Sequence, residues 1–171
     1  MTDKIYVAQT VEALQILQMN WPQIAPHFEC DGALLDIYIH NTSIDDWSRI
    51  WNFLLRNRSR LLFIIDSEMI TPPLTVGEAF NLRRAHAATA SYFLGKQRFN
   101  CHFFTEQEVE FDLDPRDVTG PADAEQLVGF IRDMGRITGK SVSLTHEGAP
   151  LAIIARFDPT SESFIWSPHL P

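Results

Sequence analysis

Cysteine is scarce in this sequence. Cys30 and Cys101 are the only two, with no CxxC pair and no dense spacing, which excludes a disulfide scaffold or a four-cysteine zinc cage and leaves two free buried thiols as the expectation. Long apolar runs are missing as well. The longest, LLFII at Leu61 to Ile65, falls far short of the ~20 residues that a bilayer-spanning helix needs. Cations are outnumbered: 14 Lys and Arg stand against 22 Asp and Glu, a formal net charge of -8. Phosphate backbones are bound by clustered Lys and Arg that release counterions, so nucleic acid is not an expected ligand. A basic protein surface is the electrostatically better partner.

Catalytic fingerprints are absent too. No GxGxxG or Walker A loop is present to cradle phosphates, and no GxSxG elbow to raise a serine nucleophile. His146-Glu147 begins like a zinc-protease HExxH, but Pro150 occupies the second histidine position and Gly148 interrupts the helix that would align the ligands. The six histidines, His27, His40, His86, His102, His146 and His169, are scattered rather than spaced as ligands. No metal, cofactor or catalytic residue is assigned from this pattern. The start, MTDKIYVAQT, has no basic region followed by an apolar run, so a cytoplasmic protein is expected and the sequons at Asn41 and Asn57 carry no weight.

What is present is an ordinary globular composition, 45% apolar and 21% charged over 171 residues. A chain of that size buries a full core without staples, and one domain over residues 1–171 is expected. KIYVAQ reads as a first strand, and Thr10 as the cap of a helix ending near Asn20. NWPQIAPHFECDG, with two prolines and no period, reads as a structured loop in which Trp21 packs over the core. ALLDIYIH is a strand whose apolar content suits a central position. Ser43 to Asp46 resembles a capping box, and Ile44, Trp47, Ile50, Trp51, Leu54 and Leu55 then recur at helical spacing. RLLFIID is a strand, Thr75 to about Arg84 a short helix, and TASYFLGKQRFNCHFF a hairpin turning at Gly95-Lys96 as type II′. EVEFDLD continues the sheet. Asp123 to about Thr138 is a helix stopped by Gly139, and SVSLTHEG, PLAIIARFD and SFIWS form a terminal meander. The order predicts an α+β fold: a mainly antiparallel sheet with two to three helices packed on one face.

The stretch FNCHFFTEQEVEFDLDP holds the most pointed pattern, a carboxylate at every second position. On an extended strand Glu106, Glu108, Glu110, Asp112 and Asp114 share one side while Val109, Phe111 and Leu113 face the core. A turn at Thr105-Glu106-Gln107 would leave only the last four in the row. Same-face neighbours about 6 to 7 Å apart repel by on the order of 0.6 kcal/mol per pair in water. Cross-strand arginines from among Arg58, Arg60, Arg83, Arg84 and Arg98 would offset that repulsion, and so would a basic partner, which adds steering at a distance. Cys101 and His102 are adjacent on this strand and so point to opposite sides.

The segments DIYIHNTSIDDWSRIWNFL, FNCHFFTEQEVEFDLDP and LVGFIRDMGRITGKSVSLTHEGAP resemble small bacterial proteins of the immunity type, encoded beside polymorphic or contact-dependent toxins. The resemblance spans about two thirds of the chain, and its motifs describe a fold more than an activity. It implies a cytosolic protein that binds and blocks a cognate toxin, for which a basic nuclease is one candidate, with Glu108, Glu110, Asp112 and Asp114 matching the acidic strand. Two other readings stand beside it. One is an enzyme using His102 or His146 with nearby carboxylates, which requires a hollow where a histidine meets two acids. The other is a structural subunit that forms a homodimer through an exposed strand.

Overall fold

Alternation along single strands decides the architecture, and the computed structural model describes it over residues 20–168. In β1 (Leu35–His40), Leu35, Ile37 and Ile39 are fully buried on one side, while Asp36, Tyr38 and His40 turn to the other. The same two-residue period runs through β2 (Leu61–Ile65), β4 (Ala88–Leu94), β5 (Gln97–Thr105), β6 (Glu108–Leu113) and β7 (Val142–His146). With β3 (Glu68–Ile70), β8 (Ala149–Asp158) and β9 (Ser163–Trp166) they make one antiparallel sheet in the order β3-β2-β4-β5-β6-β1-β7-β8-β9. The expected α+β fold is therefore the observed one. β6 is the middle strand and β1 lies beside it, while β3 and β9 form the edges.

Three helices, α1 (Ile44–Arg56), α2 (Val76–Ala85) and α3 (Pro121–Thr138), cover one face of this sheet. Trp47 and Trp51 of α1 and Phe80 of α2 meet around Phe103 of β5, at centroid distances of 5.5, 5.7 and 5.7 Å. Phe130 of α3 stacks on Phe99 at 4.0 Å and meets Phe111 edge-on at 5.2 Å. Large aromatics in such offset and edge-to-face contacts contribute beyond their buried area. Gly135 lets α3 approach β8 closely, because a Cβ there would lie 2.4 Å from Phe157 Cδ1.

Helix ends follow their capping chemistry. Ser43 Oγ accepts from Asp46 N, and the Asp46 carboxylate accepts in return from Ser43 N at 3.0 Å, so the box works with Asp in place of Glu. Thr75 and Glu78 build a second box ahead of α2. α3 begins two residues before the expected Asp123, since Pro121 at its first position lacks an N–H that would go unpaired there anyway. It stops at Gly139, whose φ is +68°. Gly95 likewise takes a φ of +55° at the first turn position of the β4–β5 hairpin.

Several expectations need correction. Residues 20–24 are helical and Ala25–Phe28 form a 3-10 turn, so NWPQIAPHF is not a loop. Pro26 sits in the first turn of that segment, where a missing N–H costs nothing. Trp21 does pack against the core, stacked on Phe28 at 6.1 Å. RLLFIID is followed by an extra strand, β3, across a two-residue turn at Asp66 and Ser67 with φ of 49° and 73°. Two positive φ values define a type I′ turn, here built without glycine. Cys101 is buried as expected, but Cys30 is exposed. The KIYVAQ strand and the Thr10 cap lie outside the described residues.

Candidate functional site

The side chains on the face opposite the three helices come from the alternate positions of the same strands, and register sets which of them meet. β6 and β1 place Asp112 opposite Asp36, Glu110 opposite Tyr38, and Glu108 opposite His40. On the other flank β5 places Asn100 opposite Asp112 and His102 opposite Glu110. The polar centre is therefore built from three adjacent strands in the middle of the sheet.

The acid row is shorter than its spacing implies. Glu108, Glu110 and Asp112 lie on β6 and share the side away from the three helices, while Val109, Phe111 and Leu113 are fully buried on the other. Glu106 lies in the turn between β5 and β6, which tethers to the start of α1 through Thr42. Asp114 is past the strand end, where its carboxylate caps a 3-10 turn and holds the Arg116 guanidinium at 2.5 Å. That ion pair and the backbone bond to Arg116 hold the Asp114 carboxyl below the usual range.

Histidines, rather than the expected arginines, offset the repulsion along the row. His40 Nδ1 lies 2.7 Å from Glu108 Oε2, and His102 Nε2 lies 2.5 Å from Asp112 Oδ2. Asp112 accepts a second bond from Asn100 Nδ2 at 2.7 Å, Asn100 Oδ1 accepts from Ser91 Oγ, and Ser91 accepts from the Arg98 guanidinium. Burial pulls the His102 imidazole down, but the bond to Asp112 and the charges of Asp112, Glu110 and Asp36 outweigh it and raise its pKa. Beside this chain, Asp36 accepts from Tyr38 Oη at 3.0 Å and from Gly148 N at 2.7 Å. Burial, with Asp112 and Glu147 nearby, raises the Asp36 carboxyl above its ordinary value despite those two bonds. Burial and the Asp36 carboxylate push the Tyr38 phenol up as well.

Glu110 is the exception at the centre. Among the described residues its carboxylate makes no hydrogen bond or ion pair, although Asp36, Glu108 and Asp112 all face it. Burial and those neighbours raise its pKa, and His102 only partly counters them. An ionised Glu110 is thus held at a cost that a cation brought to this face would relieve.

His102 belongs to a second feature. It walls a hollow of about 390 Å³ with Asp66, Arg83, Arg84, His86 and Phe104. His146, its counterpart in the enzyme reading, is exposed at the end of β7, opposite Leu35 and on the other side of the sheet. Among the described residues no group of three or more His, Cys, Asp or Glu is arranged to hold a metal ion. No described helix is long and apolar enough to cross a membrane.

Asp36, Tyr38, His40 and Asn100 were not singled out from the sequence. The signal for the first three is present, since ALLDIYIH alternates polar residues at positions 36, 38 and 40. Their meeting with the acids depends on a register between strands about 70 residues apart. No protein-family model, curated protein or solved structure matches the chain.

Proposed function

We propose that the chain is an immunity-type inhibitor: a folded binding protein that neutralises a cognate toxin by presenting the acidic face of its sheet, opposite the three helices, to a basic surface. The observation that carries this reading is the central Glu110, half-buried, raised in pKa and without a hydrogen-bond partner among the described residues. A guanidinium or ammonium from a partner supplies the missing counter-charge, and the formal charge of -8 steers that partner in from a distance. Glu108 and Glu110 do the recognising. Asp112 is occupied by His102 and Asn100 and keeps the face in shape. Glu106 and Asp114 stand at the two ends and act at most through their charge.

The test is binding by the charge-reversed variant Glu108→Lys/Glu110→Lys, which spares Asp112. Basic proteins captured from the host cell are titrated calorimetrically against both forms, and the recovered partner is assayed for toxicity with and without the chain. A stoichiometric complex that silences the toxin, and that the variant weakens at least tenfold mainly through association rate, supports the reading. Unchanged affinity removes this face from the interface.

One observation favours a second reading, a small enzyme. His102 is oriented by Asp112 at 2.5 Å through Nε2 and opens onto a hollow through the rest of its ring, which is the arrangement of a general base and its orienting acid. Turnover of a small ester or phosphoester that Asp112→Asn and His102→Gln both abolish would favour this reading over the inhibitor.

A further inference from the structure

In a chain with eight excess negative charges, one groove is lined the other way. α2 ends in Arg83 and Arg84, and neither guanidinium has an ion pair among the described residues. Both wall the 390 Å³ hollow that contains His102, and both also wall an adjoining one of about 550 Å³ with Phe80, Phe103, Thr105, Glu106 and Gln107. Phe104 is shared by the two hollows, is 58% exposed, and ties the cations together. His102 stacks on it at 5.1 Å and 6°, and the Arg83 guanidinium lies over its ring at 5.6 Å.

The acid inside the first hollow is already spent. Asp66 accepts from Ala87 N at 2.9 Å and pairs with His86 Nδ1 at 2.6 Å. Cations in the last turn of a helix favour its dipole, which accounts for Arg83 and Arg84 as residue types. It does not account for an imidazole beside them or for the exposed aromatic between. His102 uses Nε2 on Asp112, so Nδ1 is left for a ligand and donates to an anion when the ring is protonated, the form that the Asp112 carboxylate favours. Two guanidinium forks and one imidazole N–H match a group with two negative charges and several acceptor oxygens.

We propose that the groove walled by Arg83, Arg84, His102 and Phe104 binds the oxyanion of a small molecule, a phosphate monoester or a dicarboxylate. The hollow falls in the range of roughly 300 to 1,000 Å³ usual for small-ligand sites. This site differs in sign from the acidic recognition of a toxin by Glu108 and Glu110, and it stands whether or not that reading holds.

Titration of the full chain with inorganic phosphate, and separately with succinate, followed by NMR of the histidine rings and by calorimetry at low ionic strength, tests the proposal. Saturable binding of either probe with a shift of the His102 ring supports it, and which probe saturates tells phosphate from carboxylate. Arg83→Gln/Arg84→Gln is expected to weaken binding at least tenfold, and Arg84→Gln alone about threefold. Arg58→Gln/Arg60→Gln, also without ion pairs but outside the groove, should leave it unchanged. Failure of both probes to saturate, or equal losses from the two double variants, overturns the proposal.

Discussion

The two faces of one sheet are written in the same strands, a residue apart, and obey different physics. On the covered face Ile37, Phe111 and Cys101 sit side by side on β1, β6 and β5, each almost fully buried under the helices. One step along, Asp36, Asp112 and Asn100 occupy the same three strands and meet through hydrogen bonds and unbalanced charge. The covered face is the larger contributor to stability, because area removed from water is additive and non-directional. The opposite face is arranged around charges, which contribute less than the covered core and at Glu110 cost stability. That asymmetry is what a binding surface supported by a rigid scaffold requires.

The sharpest way to break the comparison is to cut into each face and compare the cost. Phe103→Ala removes the ring on which Trp47, Trp51 and Phe80 converge, and a loss of about 3 to 5 kcal/mol is expected from urea unfolding. On the other face Asp112→Asn leaves His102 without its ionic partner, with an expected loss of about 2 kcal/mol at pH 6. This second loss depends on pH. His102 has a folded pKa above its ordinary 6.5, so the stabilisation it supplies is complete below that value and fades as pH rises through the folded one. Unfolding curves of parent and variant should therefore converge in alkali, whereas the Phe103→Ala gap should not move.

The smallest expected effect has the opposite sign. Glu110→Gln is expected to stabilise the protein at pH 7 by about 0.5 kcal/mol, since it removes a charge surrounded by like charges. Ionised Glu110 is a cost because its folded pKa is raised, and that cost is relieved as pH falls through the raised value, so the advantage of Gln should vanish in acid. A thermal melt series between pH 4 and pH 7 reads this directly. If Glu110→Gln destabilises instead, the carboxylate is contributing to the fold and is not held in reserve for a partner.

Much of the fold was legible because it rests on local period. The Trp47 and Trp51 face of α1, the alternation in β6 and the stop at Gly139 each follow from spacing within a dozen residues. What escaped depended on rarer local chemistry. The turn before β3 was hidden because Asp66 and Ser67 take positive φ without a glycine to announce it, and residues 20–28 were misread because proline was counted as a breaker where it starts a turn. For the site, the alternating acids of β6 were readable as one face, but their partners were not. His40 reaches Glu108 through pairing between strands 68 residues apart, which no window of sequence contains, and His102 reaches Asp112 across the β5–β6 hairpin, ten residues away but diagonal to the direct register partner Glu110.

The strand order also sets a timetable. β2 through β6 form one block of adjacent strands, with β3 on its outer edge, and β7 through β9 form a meander, but β1 belongs to neither and is inserted between β6 and β7. During synthesis at about 5 to 20 residues per second, β1 emerges and then waits roughly 5 to 20 s before β7 exists to complete its pairing. Through that interval the edge of β1 that pairs with β7 has no strand beside it. The first described strand to be made thus keeps one edge open until β7 exists, whereas the polar centre that it shares with β5 and β6 can come together as soon as β6 is made.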